Sequence, residues 1–137
     1  MKYWLLKSEP ETWSWEMQKK KGASGEPWSG VRNHTAKLNL MAMKKGDLGF
    51  FYHSGDEKAV VGIVEVIGEF RPDPTDEKGQ FGLVVVKAVK VFPRPVTLAD
   101  AKANPRLAEM SLVNSFRLSV QPVRESEWKI ICKMGGL

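Results

Sequence analysis

The sequence predicts a single α+β domain, on three observations. The chain is 137 residues long, the length of one ordinary domain and enough to bury roughly two-thirds of its unfolded surface around one core. Three strand patterns, Leu48 to Tyr52, Val60 to Phe70 and Leu83 to Phe92, follow one another through its middle. Short helical patterns lie on either side of them, and no internal repeat or long linker divides the chain.

The elements follow in order. Tyr3 to Lys7 is apolar on both faces and stops at Ser8-Glu9-Pro10, which predicts a buried first strand placed centrally in a sheet. Ser14 is a good N-cap for a short helix from Trp15 that ends at Gly22, with Lys19-Lys20-Lys21 as its solvated last turn. After a loop holding Gly22, Gly25 and Pro27, Asn33 is placed to cap a second helix. Its apolar positions Ala36, Leu40 and Met43 recur at helical spacing, and it runs to Lys44-Lys45-Gly46.

The first two central strands are joined by a turn around Ser54-Gly55-Asp56. In the second, strict alternation sets Val60, Val64, Val66 and Phe70 on one face and Glu65 on the other. Arg71 to Gln80 is a polar, Pro/Asp-rich loop, and Pro93-Arg94-Pro95 ends the third strand. Thr97-Leu98-Ala99-Asp100 reads as a capping box that opens a short helix stopping at Asn104-Pro105. A helical turn from Arg106 holds Leu107 and Met110. Arg117 to Val123 alternates like an extended segment, which Pro122 confines to an edge or a strand end. A closing helix places Trp128, Ile131 and Cys132 on one face and stops at Gly135-Gly136.

Lys and Arg outnumber Asp and Glu by 21 to 16, a formal charge of +5, which attracts polyanions without choosing one. The single cysteine permits no intramolecular disulfide and fits a reducing compartment. The first apolar run meets Lys7 and Glu9 too soon for a signal peptide, and no apolar stretch approaches the roughly 20 residues that span a bilayer. A soluble, cytoplasmic protein is expected, with no membrane partner.

Catalytic signals are thin. No nucleophile elbow, metalloprotease helix, phosphate loop or dinucleotide fingerprint is present, and His34 and His53 have no metal-ligand spacing. Cys132 lies on an apolar helix stripe, where cysteine behaves as a small hydrophobe. An enzyme acting on a nucleotide or modified base, with His53 or Glu9 as general acid or base, is the second reading.

For binding, Trp28-Ser29-Gly30-Val31-Arg32-Asn33 brings together an indole for stacking, polar groups for a ring edge and a guanidinium for an anion. Trp28 as plain core and Asn33 as plain helix cap fit the same residues. Phe50 and Phe51 read as core, while Tyr52, His53 and Ser54 close a strand with hydrogen-bonding groups. Tyr52 and His53 alternate, so at most one of the two lines a given pocket. Ser8, Glu9, Ser119 and Gln121 are the remaining polar groups beside apolar strands.

Tyr3 to Pro10, Trp28 to Asn33, Phe51 to Ser54, Val61 to Val66 and Arg117 to Val123 together resemble the successive motifs of the EVE domain family. That family belongs to the PUA-like superfamily and is related to YTH domains. The resemblance implies a PUA-like pseudo-barrel of five to six mostly antiparallel strands with several short peripheral helices. It also implies a non-catalytic reader that binds a methylated or hydroxymethylated base in DNA or RNA; a monomer with no cofactor and no metal is expected.

By that resemblance Trp28 is an aromatic wall, Ser29 and Asn33 contact the base edge, and Arg32 meets a phosphate or shapes the pocket. Ser8, Glu9, Tyr52, His53, Ser54, Ser119 and Gln121 complete its rim or floor. Ser29 stands where many relatives carry an acidic residue, which bears on the base edge preferred. Lys19 to Lys21, Lys87, Lys90, Arg94 and Arg117 are available for the salt-dependent backbone contribution.

Overall fold

The computed structural model describes residues 1–115 and 117–137. Six strands, β1 (Tyr3–Ser8), β2 (Glu26–Pro27), β3 (Leu48–His53), β4 (Ala59–Pro72), β5 (Gly82–Thr97) and β6 (Val120–Val123), form one sheet in the order β2-β5-β4-β3-β1-β6. Only β1 with β3 is parallel; the other pairings are antiparallel. The architecture is α+β as expected. The order ends at β2 on one side and β6 on the other, so hydrogen bonding does not close the sheet into a barrel.

Among the described residues five α-helices cover its two faces: α1 (Trp15–Lys20), α2 (His34–Ala42), α3 (Leu98–Ala103), α4 (Ser111–Asn114) and α5 (Glu125–Met134). Strand alternation sends neighbours into opposite layers. Leu6 and Phe51 join Trp15, Trp28 and Leu40 in the first layer, under α1 and α2. Leu5 and Phe50 join Leu112, Trp128 and Ile131 in the second, under α3 to α5. Each such side chain contributes about 1.5–3 kcal/mol of apolar burial. Both faces of β1 are thereby covered, which is why it reads as apolar throughout. It lies inside the sheet, between β3 and edge strand β6.

Ser14, Asn33 and Thr97 cap α1, α2 and α3 as their chemistry predicts, and Asp100 completes the box at Thr97. Three expectations are corrected. Helix α2 stops at Ala42 rather than Lys44, because Met43 turns extended and the Asp47 carboxylate captures the Lys44 N–H at 3.0 Å. Val60 lies in the second layer, not with Val64 and Val66 in the first. Gly62 pairs with Phe51 and Val60 with Tyr52, which leaves Val61 as the extra residue of a bulge that reverses the alternation.

Pro93-Arg94-Pro95 does not end β5. Val96 pairs with Val60 and Val91 with Gly62, so both prolines fall where β5 bulges off the ladder and no strand N–H is required of them.

Candidate nucleic-acid interface

A cleft of about 470 Å³ opens off the carboxyl end of β1. The end of β1 (Lys7, Ser8, Glu9) forms its floor, the entry to α1 (Thr12, Trp13) one wall, and β2 with the residues after it (Glu26 to Gly30) the other.

The first wall is held from behind. The Glu9 carbonyl accepts from the N–H groups of Thr12 at 3.0 Å and Trp13 at 2.9 Å, closing a turn after β1. The Ser8 hydroxyl donates to the Trp13 carbonyl. The Trp13 indole N–H donates to Gln18 Oε1 at 2.9 Å, and the fully buried Gln18 side chain in turn donates to the Val86 carbonyl at 3.1 Å. Trp13, half-buried, is thus tied to the sheet through α1.

The second wall starts at Trp28, whose N–H donates to the Val84 carbonyl at 2.8 Å. Its indole meets the Phe51 ring edge-on at 5.6 Å and is only 8% exposed, so Trp28 is at once core and cleft lining. Gly30 follows with φ +84°, a conformation L side chains rarely adopt, and a Cβ there would meet nothing. Its N–H donates to Asp73 Oδ2 at 2.8 Å.

Asp73 comes from the loop between β4 and β5. Arg32 donates to Asp73 Oδ2 at 3.2 Å and to the Thr75 hydroxyl at 2.9 Å, while the Thr75 N–H and hydroxyl reach Asp73 Oδ1 at 2.8 and 2.7 Å. Burial pushes the Asp73 carboxyl up, but these hydrogen bonds from Thr75, Gly30 and Arg32 outweigh it and bring the pKa down to about 2. The Arg32 side chain stays 41% exposed beside the cleft, its guanidinium 5.8 Å from the centre of the Phe81 ring.

Of the residues singled out in the sequence, Ser8, Glu9, Trp28 and Ser29 line this cleft. Arg32, Asn33, Tyr52, His53, Ser54, Ser119 and Gln121 are not among its lining residues. Asn33 accepts the Ala36 N–H at 2.9 Å as the cap of α2, an acceptor role that leaves its amide NH₂ outside that bond. His53 lies on the cleft's side of the sheet, near Phe51, but is buried. Its Nε2 accepts the Trp15 N–H at 3.0 Å, so Nδ1 carries the proton and donates to Glu57 at 2.6 Å. Tyr52 faces the second layer, where the Lys7 ammonium lies 5.4 Å from its ring centre. Ser54 donates its hydroxyl to the Ser8 carbonyl at 3.2 Å, joining the ends of β1 and β3. The Ser119 carbonyl accepts the Lys7 N–H at 2.9 Å. Gln121, fully buried, donates to the carbonyls of Ser115 and Leu118 at 2.9 and 3.0 Å.

Sequence reasoning passed over Trp13, Thr12, Glu26 and Asp73. Trp13 stands between a strand-ending turn and a helix cap, where periodicity carries no signal; an indole in that loop was the available clue. Asp73 is one acid among several in a polar loop, and nothing local marks it as buried.

Among the described residues no group of three or more His, Cys, Asp or Glu side chains is arranged to hold a metal, and no helix is long and apolar enough to cross a membrane. Burial raises the Cys132 thiol to about 11, which keeps it protonated at neutral pH.

A family model, EVE domain, matches residues 2–134. Thymocyte nuclear protein 1 of Gallus gallus is 32% identical over 164 residues, spanning 96% of this chain and 68% of that protein. A solved protein from Agrobacterium tumefaciens is 57% identical, with a TM-score of 0.97 over 100% of this chain and 94% of its own. Human THYN1 protein, solved in complex with 5-methylcytosine containing DNA, is 29% identical, with a TM-score of 0.93 over 100% of this chain and 99% of its own. The YTH domain of Zygosaccharomyces rouxii MRB1, solved with N6-methyladenosine RNA, shares the fold alone, at 16% identity and a TM-score of 0.56 over 99% of this chain and 87% of its own. The chain belongs to the EVE domain family.

Proposed function

We propose that this protein reads a modified nucleobase in DNA or RNA, without chemistry of its own, in the cleft between Trp13 and Trp28. The observation that carries the reading is the likeness to human THYN1 protein, which was solved with 5-methylcytosine containing DNA, over the whole of this chain. A base entering the cleft leaves its stack at a cost of a few kcal/mol. Stacking on an indole contributes about 1–3 kcal/mol, and edge hydrogen bonds add to it. Burial of one added methyl contributes only about 1 kcal/mol, so methyl contact alone separates modified from unmodified base by roughly fivefold.

In this reading Trp13 and Trp28 supply apolar contact, while Ser29, Glu9 and Ser8 supply polar groups at the edge. Arg32, already oriented by Asp73 and Thr75, faces a neighbouring phosphate, and the Asn33 amide NH₂ is the donor its capping role leaves over. Tyr52, His53, Ser54, Ser119 and Gln121 support the cleft from behind. The involvement of both His53 ring nitrogens in hydrogen bonds favours that supporting role over acid–base work. A monomer suffices, since both walls come from one chain. The single cysteine suits the cytoplasm, and the vertebrate relatives' name, thymocyte nuclear protein 1, points to the nucleus. Both compartments are reducing and hold nucleic acid.

The test is a panel of short DNA and RNA oligonucleotides differing in one base, cytosine against 5-methylcytosine and adenine against N6-methyladenine, titrated at two salt concentrations. The reading expects tighter binding of one modified member at both salts and an unaltered oligonucleotide mass afterwards. Equal affinity across the panel with a steep salt slope leaves only nonspecific attraction and removes it.

A further inference from the structure

We propose that Asp73 is the positioning residue of this cleft: from a loop that does not line it, the carboxylate sets where Ser29 and Gly30 stand and thereby the preference for the modified base. The proposal rests on the reading just given.

The second wall is weakly held by the sheet itself. Strand β2 has two residues, and the Trp28 N–H to Val84 carbonyl bond follows it. The next bond, from the Ser29 N–H to the Pro27 carbonyl at 3.0 Å, is local and ties the segment only to itself. The wall is anchored again at Asp73, through the Gly30 N–H and the Arg32 guanidinium. The Asp73 side chain is fully buried, and each of its oxygens accepts two hydrogen bonds. A carboxylate accepting from a backbone N–H is a charge-assisted, directional contact. At Gly30 the backbone has a conformation open chiefly to glycine, with empty space where a side chain would stand, so packing does not hold it. Recognition of one methyl group needs a wall placed to within about half an ångström, and Asp73 is the group that can place it.

Asp47 provides the comparison. It is likewise buried and accepts from Lys2, Trp4 and Lys44, but at the other end of β1 and β3. Asp73→Asn, Thr75→Val and Asp47→Asn are to be measured with paired oligonucleotides carrying cytosine or 5-methylcytosine and adenine or N6-methyladenine, at a temperature where every variant is folded by circular dichroism. Exchange of the Gly30 amide is followed by NMR. Asp73→Asn is expected to speed Gly30 exchange and cut the modified-to-unmodified affinity ratio to near one; Thr75→Val, which removes one donor, gives an intermediate ratio. Asp47→Asn lowers the unfolding midpoint and keeps the ratio. Should Asp73→Asn fail to fold, the Thr75→Val ratio decides. An unchanged ratio in the decisive Asp73 or Thr75 variant, or an equal drop in Asp47→Asn, overturns the positioning role while the reader stands. A wild-type ratio of one on every oligonucleotide pair removes the reader and the proposal together, and is visible without any variant.

Discussion

Trp28 and Trp13 face the same cleft with different obligations. The indole of Trp28 is packed on Phe51 in the first layer, so Trp28→Ala opens a cavity and costs about 3–5 kcal/mol of stability as well as binding. Trp13 is half-buried and sits above the layer. Trp13→Ala is expected to weaken binding about tenfold with roughly 1 kcal/mol lost in urea unfolding; unchanged affinity takes Trp13 out of the site. Acid stability reports on Asp73. Its folded pKa of about 2 lies below the unfolded value near 3.9. The stability it contributes is therefore complete above about pH 4 and is lost as pH falls from there through about 2. Asp73→Asn should lower the urea midpoint at pH 7 and show a shallower decline than wild type between about pH 4 and 2, with the remainder of that decline coming from other carboxylates such as Asp47, which is shifted the same way. At this scale the sequence marks residues whose chemistry is local. Ser14, Asn33 and Thr97 are legible as caps because a cap is defined by the next three residues. Asp73 is not, because its partners Gly30 and Arg32 lie some forty positions earlier.

The bulge at Val61 and Gly62 shapes the first layer. Both residues face that layer, and the Trp15 ring lies over Gly62, where a Cβ would sit 2.5 Å from its Cη2 atom. Gly62→Ala must displace either Trp15 or the strand, costing roughly 1–3 kcal/mol. Because Trp15 begins α1 and donates its N–H to His53, the same substitution should disturb the Trp13 wall and weaken binding. A wild-type midpoint and affinity for Gly62→Ala would mean the helix start absorbs the added methyl at no cost. Bulges also explain what the strand pattern could not supply. Strict alternation places Val60 correctly only if no residue is inserted, and prolines end β5 only if they fall on the ladder. Composition records neither condition, since both depend on how β4 and β5 pair across a long polar loop.

For the whole molecule, the α+β class and five of the six strands among the described residues follow from the order of apolar patterns, while β2, two residues within what reads as a loop, and the sheet order do not. Nothing in Tyr3 to Ser8 announces that its neighbours are residues 48–53 on one side and 120–123 on the other. That arrangement governs how the chain is made. Strand β1 is made well before its partner β6, so one of its flanks stays unpaired until β6 is synthesised, and such distant pairings are slow to close. A chain truncated after Asn114 should retain β1 to β5 in order but leave the backbone donor and acceptor of Leu5, which face Gln121 of β6, open to other chains. Light scattering on that fragment is expected to show aggregation that a peptide spanning β6 suppresses. Pairing of β1 is thus complete only once β6 has been made, and the Ser8 end of the cleft, tied to Ser54 and backed by the Lys7 N–H bond to Ser119, takes shape with it.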